Sequence, residues 1–209
     1  TTGVSNTLIG GQSGDAITTG GYNTALGHLA LSANTTANNN VAIGYASLAN
    51  NTTGTQNTAV GQSAGNAITT GVQNVIIGTN AGDALTDADH NVAVGMNALT
   101  ADTLGSKSTA IGTGALGTQN LTSATNVYNT AVGYDAGVSV TTGIQNTLIG
   151  SLAGDALTDA DSNVAIGYSA LTADTLGSNS VAIGHSALGS QAFTTATSSY
   201  NTAVGFYAG

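Results

Sequence analysis

A five-residue motif recurs twelve times along this 209-residue chain and leaves no part of it uncovered. It reads Asn or Ser, Thr or Val, a small or apolar residue, a larger aliphatic, Gly. The copies end at Gly10, Gly27, Gly44, Gly61, Gly78, Gly95, Gly112, Gly133, Gly150, Gly167, Gly184 and Gly205. Nine of the eleven steps are 17 residues long, and the two others, Gly112 to Gly133 and Gly184 to Gly205, are 21. A fixed period of this size is the signature of a solenoid, in which each repeat buries its apolar side only against its neighbours.

The motif reads as strand. Thr7 and Ile9, Val41 and Ile43, Thr58 and Val60 are β-branched and two apart, so each pair shares one face of an extended segment. A helix is excluded because Gly and Asn interrupt every window of 3.6-residue spacing. Seventeen residues suit one coil of two strands of about five residues and two turns, with Asn, the motif Gly and the Thr-Thr-Gly triplets at the corners. Twelve coils stacked at about 4.8 Å predict a rod of roughly 55 Å. The absence of Pro fits an uninterrupted parallel ladder.

A longer period lies on top. Four residues after each motif Gly stands Gly or Leu, in the order Gly14, Leu31, Leu48, Gly65, then Gly82, Leu99, Leu116, Gly137, then Gly154, Leu171, Leu188, Gly209. This is one four-coil pattern written three times, and it divides a single repeat domain, 1–209, into modules 1–68, 69–140 and 141–209. The third motif position is Ala in nine coils but Leu8, Ile76 and Leu148 in the coils that open the modules. With the Thr/Val and Ile/Val columns taken as the packed interior, these three side chains face outward. They are then the candidate chain–chain interface, since monomers avoid such a patch.

Composition removes most functions. Lys plus Arg amounts to Lys107 alone, the ten acidic residues are all Asp, and formal net charge is −9. One cation cannot neutralise phosphates, so nucleic acid is excluded as a partner, as is a polybasic membrane patch. No apolar run reaches the roughly 20 residues of a spanning helix, so no membrane insertion is expected. Disorder fits poorly with 41% hydrophobic residues.

Catalytic chemistry finds no constellation. His28, His90 and His185 lie in different coils, and His90 with Asp87, Asp89 and Ser108 lacks a nucleophile elbow or oxyanion loop. Asp83, Asp87 and Asp89 offer three hard oxygen ligands in seven residues, and Asp155, Asp159 and Asp161 repeat them. They are the calcium candidates. The glycine-paired calcium repeat is absent, so a charged, solubilising corner and no cofactor are the expectation. Thr interspersed with Val in one column reads as an inward ladder rather than an ice-binding face. The aromatics Tyr22, Tyr45, Tyr128, Tyr134, Tyr168, Tyr200 and Phe206 flank the strands, where they stack on sugars or pack between chains. Asn34-Thr-Thr and Asn51-Thr-Thr match the glycan acceptor pattern, as chance produces in an Asn/Thr-rich chain.

The strands Asn40-Val-Ala-Ile-Gly44, Asn91-Val-Ala-Val-Gly95, Asn163-Val-Ala-Ile-Gly167 and Ser180-Val-Ala-Ile-Gly184 resemble the head repeats of YadA-type trimeric autotransporter adhesins. Asn57 to Gly65, Asn129 to Gly137 and Asn201 to Gly209 resemble repeats of phage tail-fibre proteins. The resemblance implies a left-handed, homotrimeric parallel β-roll, on a virion or outside the cell. It implies a stiff shaft or head of a phage tail fibre that contacts a host receptor or glycan, with a bacterial surface adhesin or filament subunit as the alternative. The 17-residue period departs from the shorter repeat of adhesin heads. Neither end reads as a polar cap, so further coils, another domain or end-to-end stacking are expected to cover both.

Overall fold

The computed structural model describes residues 2–209; the expected corner Thr1-Thr2-Gly3 thus falls partly outside the described residues at Thr1. Twelve three-residue strands, from Thr7–Ile9 and Thr24–Leu26 to Thr202–Val204, form one parallel sheet in strict sequence order. Partners in the ladder are 17 residues apart, as Thr7 with Thr24, or 21 apart, as Thr109 with Thr130. The chain is an all-β parallel solenoid of twelve coils, numbered here from 1 to 12.

The second five-residue strand of each coil is replaced by tight turns. Among the described residues, 29 non-glycines and 19 glycines have positive φ, four to a coil. They stand at the motif Gly, two and four residues after it, and just before the motif Asn. A stretch interrupted this often cannot stay extended. Only the two long coils add pairing there: Gly105–Ser106 with Thr125–Asn126, and Gly177–Ser178 with Thr197–Ser198. The motif Gly is obligatory on two counts. At Gly27 φ is +139°, and a Cβ there would land on the carbonyl of Gly44 in the next coil.

The inward face of the strand is the reverse of the one expected. Ala25, Ala42, Ala59, Ala93, Ala110, Ala131, Ala165 and Ala182 are fully buried, and so are Ile76 and Leu148. Leu8 is 40% exposed because coil 1 has no described coil packed on its outer side. Leu8, Ile76 and Leu148 therefore point into the solenoid, and none of them faces a second chain lying alongside the rod. Parity explains the reversal. The motif Asn, third residue and Gly share one side of the strand, and the coil interior has room for Ala but not for two β-branched columns. The Thr/Val and Ile/Val columns turn outward.

The interior keeps its volume by an exchange between two positions. Where Leu stands four residues after the motif Gly, as Leu31, Leu48, Leu99 and Leu171, a polar residue follows three later: Asn34, Asn51, Asp102 and Asp174. Where Gly stands there, an aliphatic follows instead: Ile17, Ile68, Leu85, Val140 and Leu157. At Gly65 (φ +57°) an added Cβ would lie 3.0 Å from the Ile68 side chain and 3.1 Å from that of Leu48. One large side chain fills the same space from either side, as close packing requires.

A buried asparagine column joins the coils. Nine motif asparagines (Asn6, Asn23, Asn40, Asn57, Asn74, Asn91, Asn129, Asn146 and Asn163) make the same pair of bonds to the following coil. Oδ1 accepts from the backbone N–H of the next motif residue at 2.8–3.0 Å. Nδ2 donates to the corner carbonyl three residues before it at 2.7–2.9 Å. Only a side chain with one donor and one acceptor serves both ends. At the corner, threonine hydroxyls repeat the device more weakly, Thr18 Oγ1 donating to Thr35 O at 3.0 Å and Thr35 Oγ1 to Thr52 O at 3.2 Å.

Two substitutions test this account. Asn74→Asp places a carboxylate against the Ala88 carbonyl and Asn57 Oδ1, where Nδ2 donated. It should lower thermal stability more than Asn74→Ala, which costs about 1–3 kcal/mol for the groups left unpaired. Gly65→Leu should destabilise by about 1–3 kcal/mol through overpacking, and adding Ile68→Asn should recover most of the loss, read as melting temperature.

Candidate functional site

A regular surface runs along the outer side of the twelve-stranded sheet. Four columns run along it: the residue before the motif Asn, the second motif residue, the fourth, and the residue after the Gly. The two central columns are Thr or Val and Ile, Val or Leu, half-buried or exposed at every rung. Ile77, Ile111 and Ile149 are each 38% exposed although coils stack on both sides of them. The flanking columns carry Tyr22, Tyr128 and Tyr200 on one edge and Tyr45, Met96, Tyr134, Tyr168 and Phe206 on the other, all exposed.

Charge is segregated from this face. None of the ten Asp residues lies in the four columns, and the sole cation, Lys107, lies in an edge column. Asp102 and Asp174 are inside the coils and the others are on the turns. The Thr/Val column, expected inward, is thus an exposed ladder. It is not a continuous threonine array, because Val41, Val75, Val92, Val164 and Val181 interrupt it.

His28 and His185 belong to an aromatic column rather than to a catalytic group, and His90 stands in the other edge column between Gln73 and Lys107. His28 stacks on Tyr45 with centroids 5.8 Å apart, and His185 packs between Tyr168 and Phe206 at 5.1 Å from each. Ser108 is buried, and its Oγ accepts from Gln119 Nε2 at 3.1 Å, so it is no partner of His90. The Asp135 carboxylate beside Tyr134 takes a hydrogen bond from the phenol and opposes its ionisation, holding that phenol above its ordinary pKa.

The calcium candidates are dispersed. Asp83 accepts from Thr100 Oγ1 at 2.6 Å, Asp87 from Thr70 Oγ1, and Asp89 from Val72 N at 2.7 Å. Asp155, Asp159 and Asp161 repeat these bonds with Thr172, Thr142 and Ile144 N. Each carboxylate turns along the stack in its own column, toward a neighbouring coil, so the triplet does not converge. Among the described residues no three His, Cys, Asp or Glu side chains are grouped to hold a metal ion. Asn34 and Asn51 are fully buried, which closes both acceptor sites to glycan in the folded chain.

Sequence reasoning missed the polar clusters that hold the two long coils. Buried Asp102 accepts from Gly105 N at 3.0 Å, Leu121 N at 3.1 Å and Gln119 Nε2. Gln119 Oε1 in turn accepts from Asn129 Nδ2 at 2.9 Å. Asp174, Gln191 and Asn201 repeat the arrangement. The signal was present: Ser108 and Ser180 replace the motif Asn only in the coils before the long steps. There the glutamine occupies the space and supplies the amide.

No family model, no curated protein and no solved structure matches this chain. The fold is a structural solenoid with no catalytic, cofactor-binding or metal-binding constellation among the described residues.

Chelation tests the dispersed carboxylates. A calcium chelator should leave the melting temperature unchanged, as should Asp87→Asn with Asp159→Asn. A fall reversed by added calcium would mean that the six aspartates do assemble a site.

Proposed function

We propose that this chain is the stiff shaft or head of an extracellular or virion fibre, built as a homotrimer through the outer strand face. The observation that carries the reading is an apolar-centred face along all twelve coils, free of Asp and with Lys107 in an edge column as its one Lys or Arg. A chain of net charge −9 meets copies of itself with least repulsion through that face. Its size suits the purpose. Roughly 55 Å of stacked coils by about 15 Å of strand and flanking residue gives about 800 Å² per chain, the area of a standard stable interface. Three as the number, and a left-handed coil, follow from the resemblance to adhesin-head and tail-fibre repeats. Both parents are fibres, with the tail fibre first and the surface adhesin or filament second.

The mechanics follow from the coil. Every rung is tied to the next by strand bonds, and most rungs also by the asparagine column and the threonine corner. Such a rod resists bending and offers proteases few open segments. A receptor or glycan contact falls to the exposed turns and the two long coils, which project where loops carry recognition. End-to-end stacking belongs to the same reading. Coil 1 carries Leu8 as coils 5 and 9 carry Ile76 and Leu148, so coil 1 of a second copy would repeat the junctions after coils 4 and 8.

Mass measurement in solution at micromolar concentration should give three copies per particle, and electron microscopy a rod. Ile77→Asp with Ile149→Asp should release monomers that keep their β circular dichroism. A wild-type monomer defeats the trimer; a trimer that survives the double substitution defeats this interface.

A further inference from the structure

The two edges of the strand face carry one ionic group each at the same level, an exposed lysine and a half-buried aspartate. Lys107, the only Lys or Arg of the chain, stands in the edge column before the motif and is exposed. Its ammonium does not stay on its own coil. Nζ lies 5.4 Å from the centroid of the Tyr128 ring and 3.5 Å from the Tyr128 hydroxyl, which places it on the rung of coil 8. Asp89, whose backbone carbonyl accepts from Lys107 N, turns its carboxylate in the opposite direction along the stack, onto Val72 N at 2.7 Å. The lysine therefore leans away from that carboxylate.

Asp135 stands at the opposite edge. It is the only Asp two residues after a motif Gly, the position that borders the column of Tyr134. It belongs to coil 8, the rung toward which Lys107 leans. Its carboxylate extends back over Gly114 of coil 7, where an added Cβ would meet Oδ1. Ammonium and carboxylate thus lie between the same two rungs, on opposite margins of one face.

Chains that stand parallel around a common axis, each with this face inward, bring the leading edge of one against the trailing edge of the next. Equivalent coils are then at equal height. We infer that Lys107 of one chain pairs with Asp135 of its neighbour, closing a ring of charge pairs that fixes the axial register of the assembly. This rests on the proposed association through the strand face. The apolar columns repeat every coil, so a shift by one coil, about 4.8 Å, leaves their contacts almost unchanged. A single charge pair per interface breaks that degeneracy, as one polar position sets register in a coiled coil. Net charge gives the pair further weight, because a shifted register leaves the chain's only cation against neutral rungs.

The chain contains no cysteine, which makes cross-linking a clean test. In Lys107→Cys/Asp135→Cys the two thiols of one chain are separated by the extended Asn129–Gly133 segment, about 13 Å, beyond the roughly 7 Å that a disulfide spans. Oxidation should therefore link different chains only and give covalently closed rings on a denaturing gel, three chains in size. Lys107→Asp and Asp135→Lys should each weaken assembly roughly tenfold, and the charge-exchanged double variant should restore it. Native assembly of the cysteine variant without cross-linking, or single variants that assemble as well as wild type, overturns the pairing and leaves the face intact. A wild-type chain that is monomeric overturns both.

Discussion

Equivalent residues of successive coils lie one strand spacing apart, and every other feature of this molecule answers to that constraint. A side chain at one position has its counterpart in the next coil at about 4.8 Å, so each position must hold a residue that tolerates its own kind above and below. Asparagine does so because its amide is both donor and acceptor, and Asn57 offers to Asn74 what Asn74 offers to Asn91. Alanine does so by being small. Glycine does so because the carbonyl of the next coil stands where a Cβ would be. Residues that cannot stack on themselves, the aspartates above all, are kept from neighbouring coils. Asp15, Asp83 and Asp155 share a column but stand in coils 1, 5 and 9. Four coils separate them by about 19 Å, well beyond the screening length at physiological salt.

The same constraint decides how the two long coils are accommodated. Four extra residues on one side of a coil would break the amide column, since the corner carbonyl that accepts from the motif Asn moves out of reach. Ser108 shortens the side chain, and Gln119 enters from the far side to bond Asp102, Ser108 and Asn129. The inserted residues are expelled to the surface, and the sheet passes through with its register unbroken, Ala110 opposite Ala131. Asp174, Ser180, Gln191 and Asn201 meet the second insertion in the same way.

Much of this was legible in the residues. The period gave twelve coils, parallel pairing and the 17- and 21-residue register, because nothing but stacking imposes a spacing that strict. The inward side of the strand was not legible from β-branching alone. Thr, Val and Ile are good strand residues on either face, and in most sheets the larger aliphatics go in. Here the coil is too narrow, and the recurrence of Asn, Ala and Gly at alternate positions is the better guide to the interior. Asn reads as a turn residue from its backbone habit, whereas its amide does the structural task. Asp102 and Gln119 carried no motif and became visible only as the partners of a serine that breaks the repeat. The candidate face followed from the corrected parity, and the charge segregation on it was already countable in the sequence.

The four-coil module also governs how such a molecule changes in length. Coils differ in whether Leu stands on one side of the core or an aliphatic on the other, and this alternation matches only between particular neighbours. Recombination between repeats that removes or adds one or two coils brings mismatched interiors together, while exchange of a whole module rejoins identical junctions. Viable descendants of this chain should therefore differ by steps of about 19 Å, so that the molecule behaves as a ruler graduated in modules rather than in coils.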